Sequence, residues 1–463
     1  MKDRVSETRK VADSMGELEV PKNVLYGAQT QRAINNFPVS GRRMPLEFIK
    51  ALIIIKKVAA RTNAKLKCID QEIADGIVKA CDKLIADASI HKNFPVDVFQ
   101  TGSGTSSNMN ANEVIAMLAS EFSKLIVNPN DHVNFGQSSN DVIPTAIHVS
   151  AAIALKDNLI PAIEHLISTI DKKASTLSTI TKTGRTHLMD AMPVTLGQTT
   201  AAWGQQIQAS LNQIKAIQKD IQTLALGGTA VGTGINTHPN FAEEAIKELN
   251  QITTVEFTNP KSFFPLMSSQ DTAVSLSGAL KTLSVSLMKV SNDLRWMNSG
   301  PLAGLGEITL EALQPGSSIM PGKVNPVIPE STAMVCAEVI GNDMTITVAG
   351  QSGNFELNVM LPIIAEKLLC SLNILSTSSR LLADKAIKTF TVNNSNLEVP
   401  LHRNPILVTA LNPIIGYEKA AQIAKEAYRE NQPILDVAQK YCDLSREELV
   451  KLLDPLKLTK GGL

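Results

Sequence analysis

Aromatic residues make up only 4% of this 463-residue sequence, and cysteine occurs five times. Cys68, Cys81, Cys336, Cys370 and Cys442 are an odd set without a CxxC pair, which argues against a disulfide framework or a zinc ribbon and fits a reducing compartment. Neither sign of charge is in excess: Lys plus Arg and Asp plus Glu each total 44. With no global field to draw the chain to nucleic acid or an anionic membrane, a charged ligand must be captured by a local site. No uninterrupted apolar run reaches the ~18 residues of a membrane span. The opening MKDRVSETRK mixes acids with bases and has no apolar segment of a signal peptide, so the expected location is cytoplasmic. None of the seven histidines has the spacing of a metal motif, and no metal is expected.

Two nucleotide motifs are also missing. Residues 316 to 326 read GSSIMPGKVNP and suggest a phosphate loop, but five residues rather than four separate Gly316 from Gly322, and Val324 rather than Ser or Thr follows Lys323. The register that wraps a β-phosphate and the hydroxyl that would hold magnesium are both absent. The run Gly228 to Gly234 (GTAVGTG) lacks the GxGxxG spacing and follows no strand, so it reads as a turn between long helices.

What the sequence has is helix. Apolar residues are 44% of the chain, enough to fill a large core, and the length is that of about three domains. Trp203, Ile207, Leu211, Ile214, Ile217, Ile221 and Leu224 step by three or four, a helical stripe expected to open near Thr199 and to end at a C′ glycine, Gly227. Similar patterns run from about Thr145 to Leu177, Asp271 to Met297, Ser331 to Val348 and Leu361 to Lys388, while strand runs are few. The spacing predicts an all-α fold built on a bundle of long, nearly antiparallel helices, which leaves an apolar surface for oligomerisation. Expected boundaries are 1–136, a mainly helical N-terminal domain; 137–393, the bundle; and 394–463, a small helical domain in which Pro400, Pro405, Pro413 and Pro433 break up shorter helices. Ser445 to Glu448 fits a capping box, with Leu444 and Leu449 as its hydrophobic staple.

Four polar, glycine-containing stretches are not explained by packing: Gln100 to Asn108, Gly136 to Asp141, Gly184 to His187, and the Gly316 loop. Each is expected to set hydroxyl or amide donors at or near a helix start, where free N–H groups and the helix dipole suit a carboxylate as well as a phosphate. Singly they have plain explanations. Ser138, Ser139 and Asn140 make an ordinary N-cap, Lys323 a solvated charge, Glu330 a first-turn acid, and His187 an imidazole with one partner.

Together the stretches resemble the class II fumarases of the fumarase/aspartase superfamily. The likeness runs from Val20 to about Gly416 and onward, through LYGAQTQR, TGSGTSSNMN, QSSNDVIPTAIHV, GRTHLMDAMPVTLGQ, LALGGTAVGTGINTHP, GSSIMPGKVNP and GNFELNV; GSSxMPxKxNP is the superfamily signature. Aspartate ammonia-lyase is the alternative within the superfamily. His187, Ser139 and Gly322 resemble fumarases, where the ammonia-lyases carry Gln, Thr and Ala, whereas Val327-Ile328-Pro329 leans the other way. A noncatalytic scaffold of the same ancestry is a further alternative. Leu302 stands where the family carries Arg. A second anion site of the family corresponds to Asn128, Pro129, Asn130 and Asp131, with Asn128 in place of His and Leu125 and Ile126 in place of basic residues, which implies a weakened or lost site.

The resemblance implies a three-domain fumarase/aspartase-like fold in a homotetramer with a multi-helix core, its sites each assembled from three subunits. It implies reversible hydration of fumarate to (S)-malate, a step of the tricarboxylic acid cycle, without a cofactor, nucleic acid or membrane partner. The implied catalytic residues are Ser317 as the base, acting as an alkoxide held by backbone N–H groups, and His187 with Glu330 to activate water. Substrate contacts are implied for Ser103, Gly104, Thr105, Ser138, Ser139, Asn140, Thr186, Ser318, Lys323, Val324 and Asn325.

Overall fold

The computed structural model describes residues 7–253 and 255–461; the first six residues of the charged N-terminal stretch lie outside that description. An antiparallel ribbon, β1 (Thr8–Asp13) and β2 (Gly16–Pro21), precedes α1 (Ala28–Asn36), α2 (Leu46–Lys65), α3 (Gln71–Ala86), α4 (Thr105–Ser123), α5 (Ser139–Ala154) and α6 (Ile160–Thr176). A hairpin follows, β3 (Thr181–Thr186) and β4 (Met189–Thr195), and then α7 (Leu196–Ile221), α8 (Phe241–Thr253), α9 (Phe264–Ser268) and α10 (Asp271–Met297). After β5 (Ile308–Thr309) come α11 (Val327–Gly350), the short pair β6 (Gly353–Asn354) and β7 (Leu357–Asn358), α12 (Leu361–Leu382) and β8 (Thr391–Val392). β8 pairs with β5, and five short helices close the chain: α13 (Asn394–Arg403), α14 (Asn412–Ile415), α15 (Tyr417–Glu430), α16 (Ile434–Tyr441) and α17 (Arg446–Leu452), with a final turn α18 (Pro455–Leu458).

The all-α expectation holds: long helices dominate, and the strands form only two-stranded ribbons among the described residues. The predicted helix over 271–297 has the bounds of α10, and the Ser445 capping box opens α17 with Glu448 as its N3 partner. One boundary differs. α7 ends at Ile221 rather than at Gly227, because Thr258 takes over the backbone: its N–H donates to Gln222 O at 2.9 Å, and its carbonyl accepts from Leu224 N at 3.1 Å. The stripe is nevertheless core, with Trp203, Ile207, Leu211, Ile214, Ile221 and Leu224 buried. By length and composition the helix Ser139–Thr176 could cross a membrane, but 67% of its apolar window is buried in the fold, as in a core helix.

The described chain divides into two compact units. The first comprises Met1–Pro161, Asn212–Thr282 and Ala337–Ser376. In it α2 packs against α3, α4, α5 and α8, and Phe48, Ile49, Leu52, Ile53 and Ile55 of α2 are all but inaccessible. Each such side chain contributes roughly 1.5–3 kcal/mol by leaving water. The second comprises Ala162–Leu211, Leu283–Cys336 and Thr377–Leu463. Its hairpin β3–β4 is backed by α13 and α18, and Leu407, Leu411, Ile423, Ile434, Val437 and Leu449 close an apolar cluster among the terminal helices.

Candidate active site

Gly104 and Ser138 begin the two helices that carry the first two polar stretches, both in the first unit. Gly104 is the N-cap of α4 at φ +73°, a left-handed conformation that glycine adopts without a Cβ clash, and the Ser103 and Thr105 hydroxyls lie 2.9 Å apart across it. Ser138 caps α5: its hydroxyl accepts from Asn140 N at 3.2 Å while Asp141, three residues on, accepts from Ser138 N at 2.9 Å. Asn140 donates to Ala230 O at 2.8 Å. Asp141 is fully buried, and its other oxygen accepts from Gly227 N at 2.9 Å and Thr229 N at 3.0 Å. One carboxylate thus ties the capping turn to the glycine run that follows α7. Burial pushes the Asp141 pKa up, against the three N–H donors that favour its charged form.

Beneath Ser138 and Ser139 lies a polar cluster that sequence reading missed. Lys56 of α2 is fully buried and donates to Asn134 Oδ1 at 2.8 Å and Gln137 Oε1 at 3.0 Å. Asn134 Oδ1 also accepts from Asn108 and Asn112, each at 3.1 Å, and Asn108 donates to Ser139 Oγ at 3.0 Å. Burial lowers the Lys56 pKa, with the charge of Asp141 opposing. The signal was available: Lys56 falls in helical register with Ile49, Leu52, Ile53 and Ala60, on a buried face of α2 that is apolar from Phe48 to Ala60 but for this lysine.

The segment Asn128 to Asp131 turns back on itself. Asn128 Oδ1 accepts from Asn130 N at 2.8 Å and Asp131 N at 3.0 Å, so the two backbone donors an anion would use already have an intramolecular acceptor. Ile126 beside it is 89% exposed.

In the second unit, the Gly184–His187 stretch does not stand at a helix start as expected. It runs along β3 into a two-residue turn, with Thr186 opposite Met189 and His187 and Leu188 at φ +56° and +61°. Positive φ at both central positions is the type I′ pattern of tight hairpins, and without glycine each costs about 1–2 kcal/mol. The strand is anchored behind the turn by buried Glu307, which pairs with Lys182 and with Arg185, each at 2.8 Å. Paired this way, a buried carboxylate keeps both β3 cations in place, and removing it would leave them uncompensated. Thr186 and His187 themselves are exposed.

The Gly316 loop is closed by its own backbone: Gly316 N donates to Lys323 O, and Asn325 Nδ2 to Gly316 O, both at 2.8 Å. A Cβ at Gly316 would lie 2.6 Å from Lys323 O, so only glycine lets the two ends meet. Inside the loop, Ser317 Oγ accepts from Ile319 N at 3.2 Å and Met320 N at 3.0 Å. Ser318, Ile319, Met320, Lys323 and Val324 are exposed. Lys323, Val324, Asn325 and Glu330, the last in the first turn of α11, line one cavity of about 500 Å³ with Asn292, Arg295 and Trp296. A larger cavity of about 570 Å³ among the terminal helices, lined by His402, Arg446 and Lys451, holds none of the expected site residues. Leu302 is 98% exposed. Among the described residues His187 and Glu330 share no hydrogen bond within one chain, and no cluster of His, Cys, Asp and Glu has metal-binding geometry.

A lyase family model matches residues 16–341, and a model of the fumarase C C-terminus matches residues 407–460. The chain is 62% identical to fumarate hydratase class II 2 of Pseudomonas aeruginosa over 99% of its length and all of that protein. It is 56% identical to fumarate hydratase class II of Xylella fastidiosa, covering 97% of this chain and 95% of that one. Among solved structures, the class II fumarase of Schistosoma mansoni superposes with a TM-score of 0.94 at 38% identity, over 98% of this chain and 99% of the other. Whole-length likeness of sequence and fold places the chain in the class II fumarate hydratase family of the fumarase/aspartase lyases.

Proposed function

We propose that the chain hydrates fumarate to (S)-malate reversibly, with Ser317 as the proton acceptor in the malate-to-fumarate direction. The observation that carries the assignment is the pair of backbone N–H groups, from Ile319 and Met320, that donate to Ser317 Oγ. Dehydration of malate removes a proton from the carbon beside one carboxylate and expels hydroxide from its neighbour. Two preorganised N–H donors favour the alkoxide form of Ser317 and so lower the cost of forming that base. As the proton leaves, charge spreads into the adjacent carboxylate. Lys323 and the Ser103–Thr105 and Ser138–Asn140 helix starts supply donors to the dianion; loss of one such donor costs about 100-fold or more. His187, with Glu330, protonates the departing hydroxide and, in reverse, takes a proton from the attacking water.

This arrangement calls for a homotetramer with sites shared between protomers, because among the described residues one chain leaves His187 and Glu330 without a mutual hydrogen bond. The apolar face of α11 supports it too: Met334, Ile340, Met344 and Val348 are exposed while Cys336, Val339 and Ile346 of the same helix are buried. A helix with apolar side chains exposed on one face and buried on another fits a core that one chain does not complete. No cofactor enters the proposed steps, and five unpaired cysteines support a reducing, cytoplasmic compartment. Asn128 to Asp131 is assigned no second dicarboxylate, because its N–H donors are already taken.

Purified protein mixed with fumarate, malate or aspartate tests the reading. Loss of fumarate's ultraviolet absorbance on hydration, and its return from malate, are expected; release of ammonia from aspartate without fumarate hydration would overturn it.

A further inference from the structure

A buried ammonium is costly, and an apolar side chain would pack the face of α2 that Lys56 occupies without that cost. Lys56 touches no carboxylate among its hydrogen-bond partners; its contacts are the amide oxygens of Asn134 and Gln137. What the lysine does supply is direction. An ammonium has only donors, so both amides must turn their oxygens to it, and their NH₂ groups must face away. The ammonium form forces this polarity; a neutral amine, with two N–H bonds and a lone pair, only permits it. With Asn134 Oδ1 held at the centre, Asn108 and Asn112 must approach it with their NH₂ groups. The second N–H of Asn108 then lies on Ser139 Oγ at 3.0 Å. That oxygen is occupied from behind by a donor, and the hydroxyl hydrogen is left to find its acceptor elsewhere.

The arrangement is not the one that best satisfies the asparagines. Asn108 Oδ1 and Asn112 Oδ1 are buried with no hydrogen-bond partner. Rotating the Asn108 amide would let its oxygen accept from the Ser139 hydroxyl, but would turn that hydroxyl inward. The lysine prevents it, because the rotated amide would set its oxygen against Asn134 Oδ1. A cluster built only for stability has no reason to leave the Asn108 carbonyl unpaired to hold one serine as an outward donor.

We propose that Lys56 is a positioning residue for substrate binding: through Asn134 and Asn108 it fixes the Ser139 hydroxyl as a hydrogen-bond donor to a substrate carboxylate. This rests on the reading of Ser138–Asn140 as a carboxylate-binding cluster. Lys56 touches no substrate in this scheme, and its effect passes through three hydrogen bonds to a hydroxyl that does.

A double-mutant cycle on the full-length protein tests it. Lys56→Met, Ser139→Ala and the double variant are compared for fumarate KM, kcat and thermal midpoint. The relay predicts that Lys56→Met and Ser139→Ala each raise KM about tenfold, with kcat changing less, and that the double variant is no worse in KM than Lys56→Met alone. Multiplying KM penalties, or an unchanged KM in Lys56→Met, would overturn the relay while leaving the carboxylate cluster standing. An unchanged KM in Ser139→Ala would overturn the cluster reading and the relay with it. Should Lys56→Met fail to fold, Asn108→Asp replaces it, because its carboxylate accepts from Ser139 and reverses the hydroxyl. Its KM is then expected to rise about tenfold and to be unaffected by adding Ser139→Ala; multiplicative loss would overturn the relay.

Discussion

The cluster at the start of α5 and the Gly316 loop are both rich in serine, asparagine and glycine, yet they are held in opposite ways. Ser138, Ser139 and Asn140 stand on a polar floor of buried Lys56, Asn108 and Asp141 with half-buried Asn134, every linking distance between 2.8 and 3.2 Å. The Gly316 loop is clasped at its two ends, and its tip is exposed, with Ile319 at 85%. In the proposed function a dicarboxylate is met by fixed donors and then covered, and the contrast matches that division: embedded donors at the start of α5 and an exposed loop at Gly316. Tight embedding suits the first, because reorganising donors costs binding. The second needs freedom, and its clasp, the two bonds that join Gly316 to Lys323 and Asn325, ties the loop only to itself among the described residues.

The contrast is most sharply broken at Ser317. Ser317→Ala is expected to lower kcat by about 10²–10⁴-fold while leaving the thermal midpoint unchanged, since the side chain bonds only within its own loop; turnover and calorimetry check both. Asp141→Ala should do the reverse and act first on stability. It strands the N–H groups of Ser138, Gly227 and Thr229, a loss on the order of 3 kcal/mol measurable by urea unfolding. Gly316→Ala is expected to open the clasp, reducing kcat about tenfold with little change in melting, because the added methyl displaces Lys323 O.

A pH titration of stability separates the units further. Burial lowers the pKa of His148 in α5 to about 4, with Thr223 O hydrogen-bonded to Nδ1 at 2.8 Å. The unfolded chain therefore binds the proton first as pH falls below about 6.5. Stability should decrease from there down to about pH 4 and then level off with respect to this group. His148→Gln is expected to flatten that part of the unfolding profile, measured by urea midpoints across the range. The smallest effect is set far from both regions: Ser445→Ala removes the cap of α17 and should cost about 1 kcal/mol without altering turnover.

Much of this was legible from residue order alone. The stripe from Trp203 to Leu224, the bounds of Asp271–Met297, and the caps at Ser138 and Ser445 depend on neighbours three or four positions apart, and a helix's own geometry brings those together. The GSSxMPxKxNP signature and the Ser139, His187 and Gly322 positions were enough to point to the family later supported along the whole chain. Two readings failed for a common reason. The end of α7 was set by Thr258, a residue thirty-seven positions beyond Ile221 in the chain, and the His187 stretch became a hairpin turn because β4 pairs with β3. Neither partner leaves a mark in the local pattern.

The sequence by itself determined which segments are helices, which face of each is apolar, and which polar loops lie outside that logic, because these follow from propensity and from a period of 3.6. Only the tertiary structure decided what stands behind those loops. A lysine among isoleucines reads locally as an interruption. Its meaning depends on Asn134 and Gln137, brought within 3.0 Å by the packing of α2 against the turn before α5, and on the direction in which each amide must then point. Hydrogen-bond polarity belongs to a network, so no single residue in the chain could have announced it.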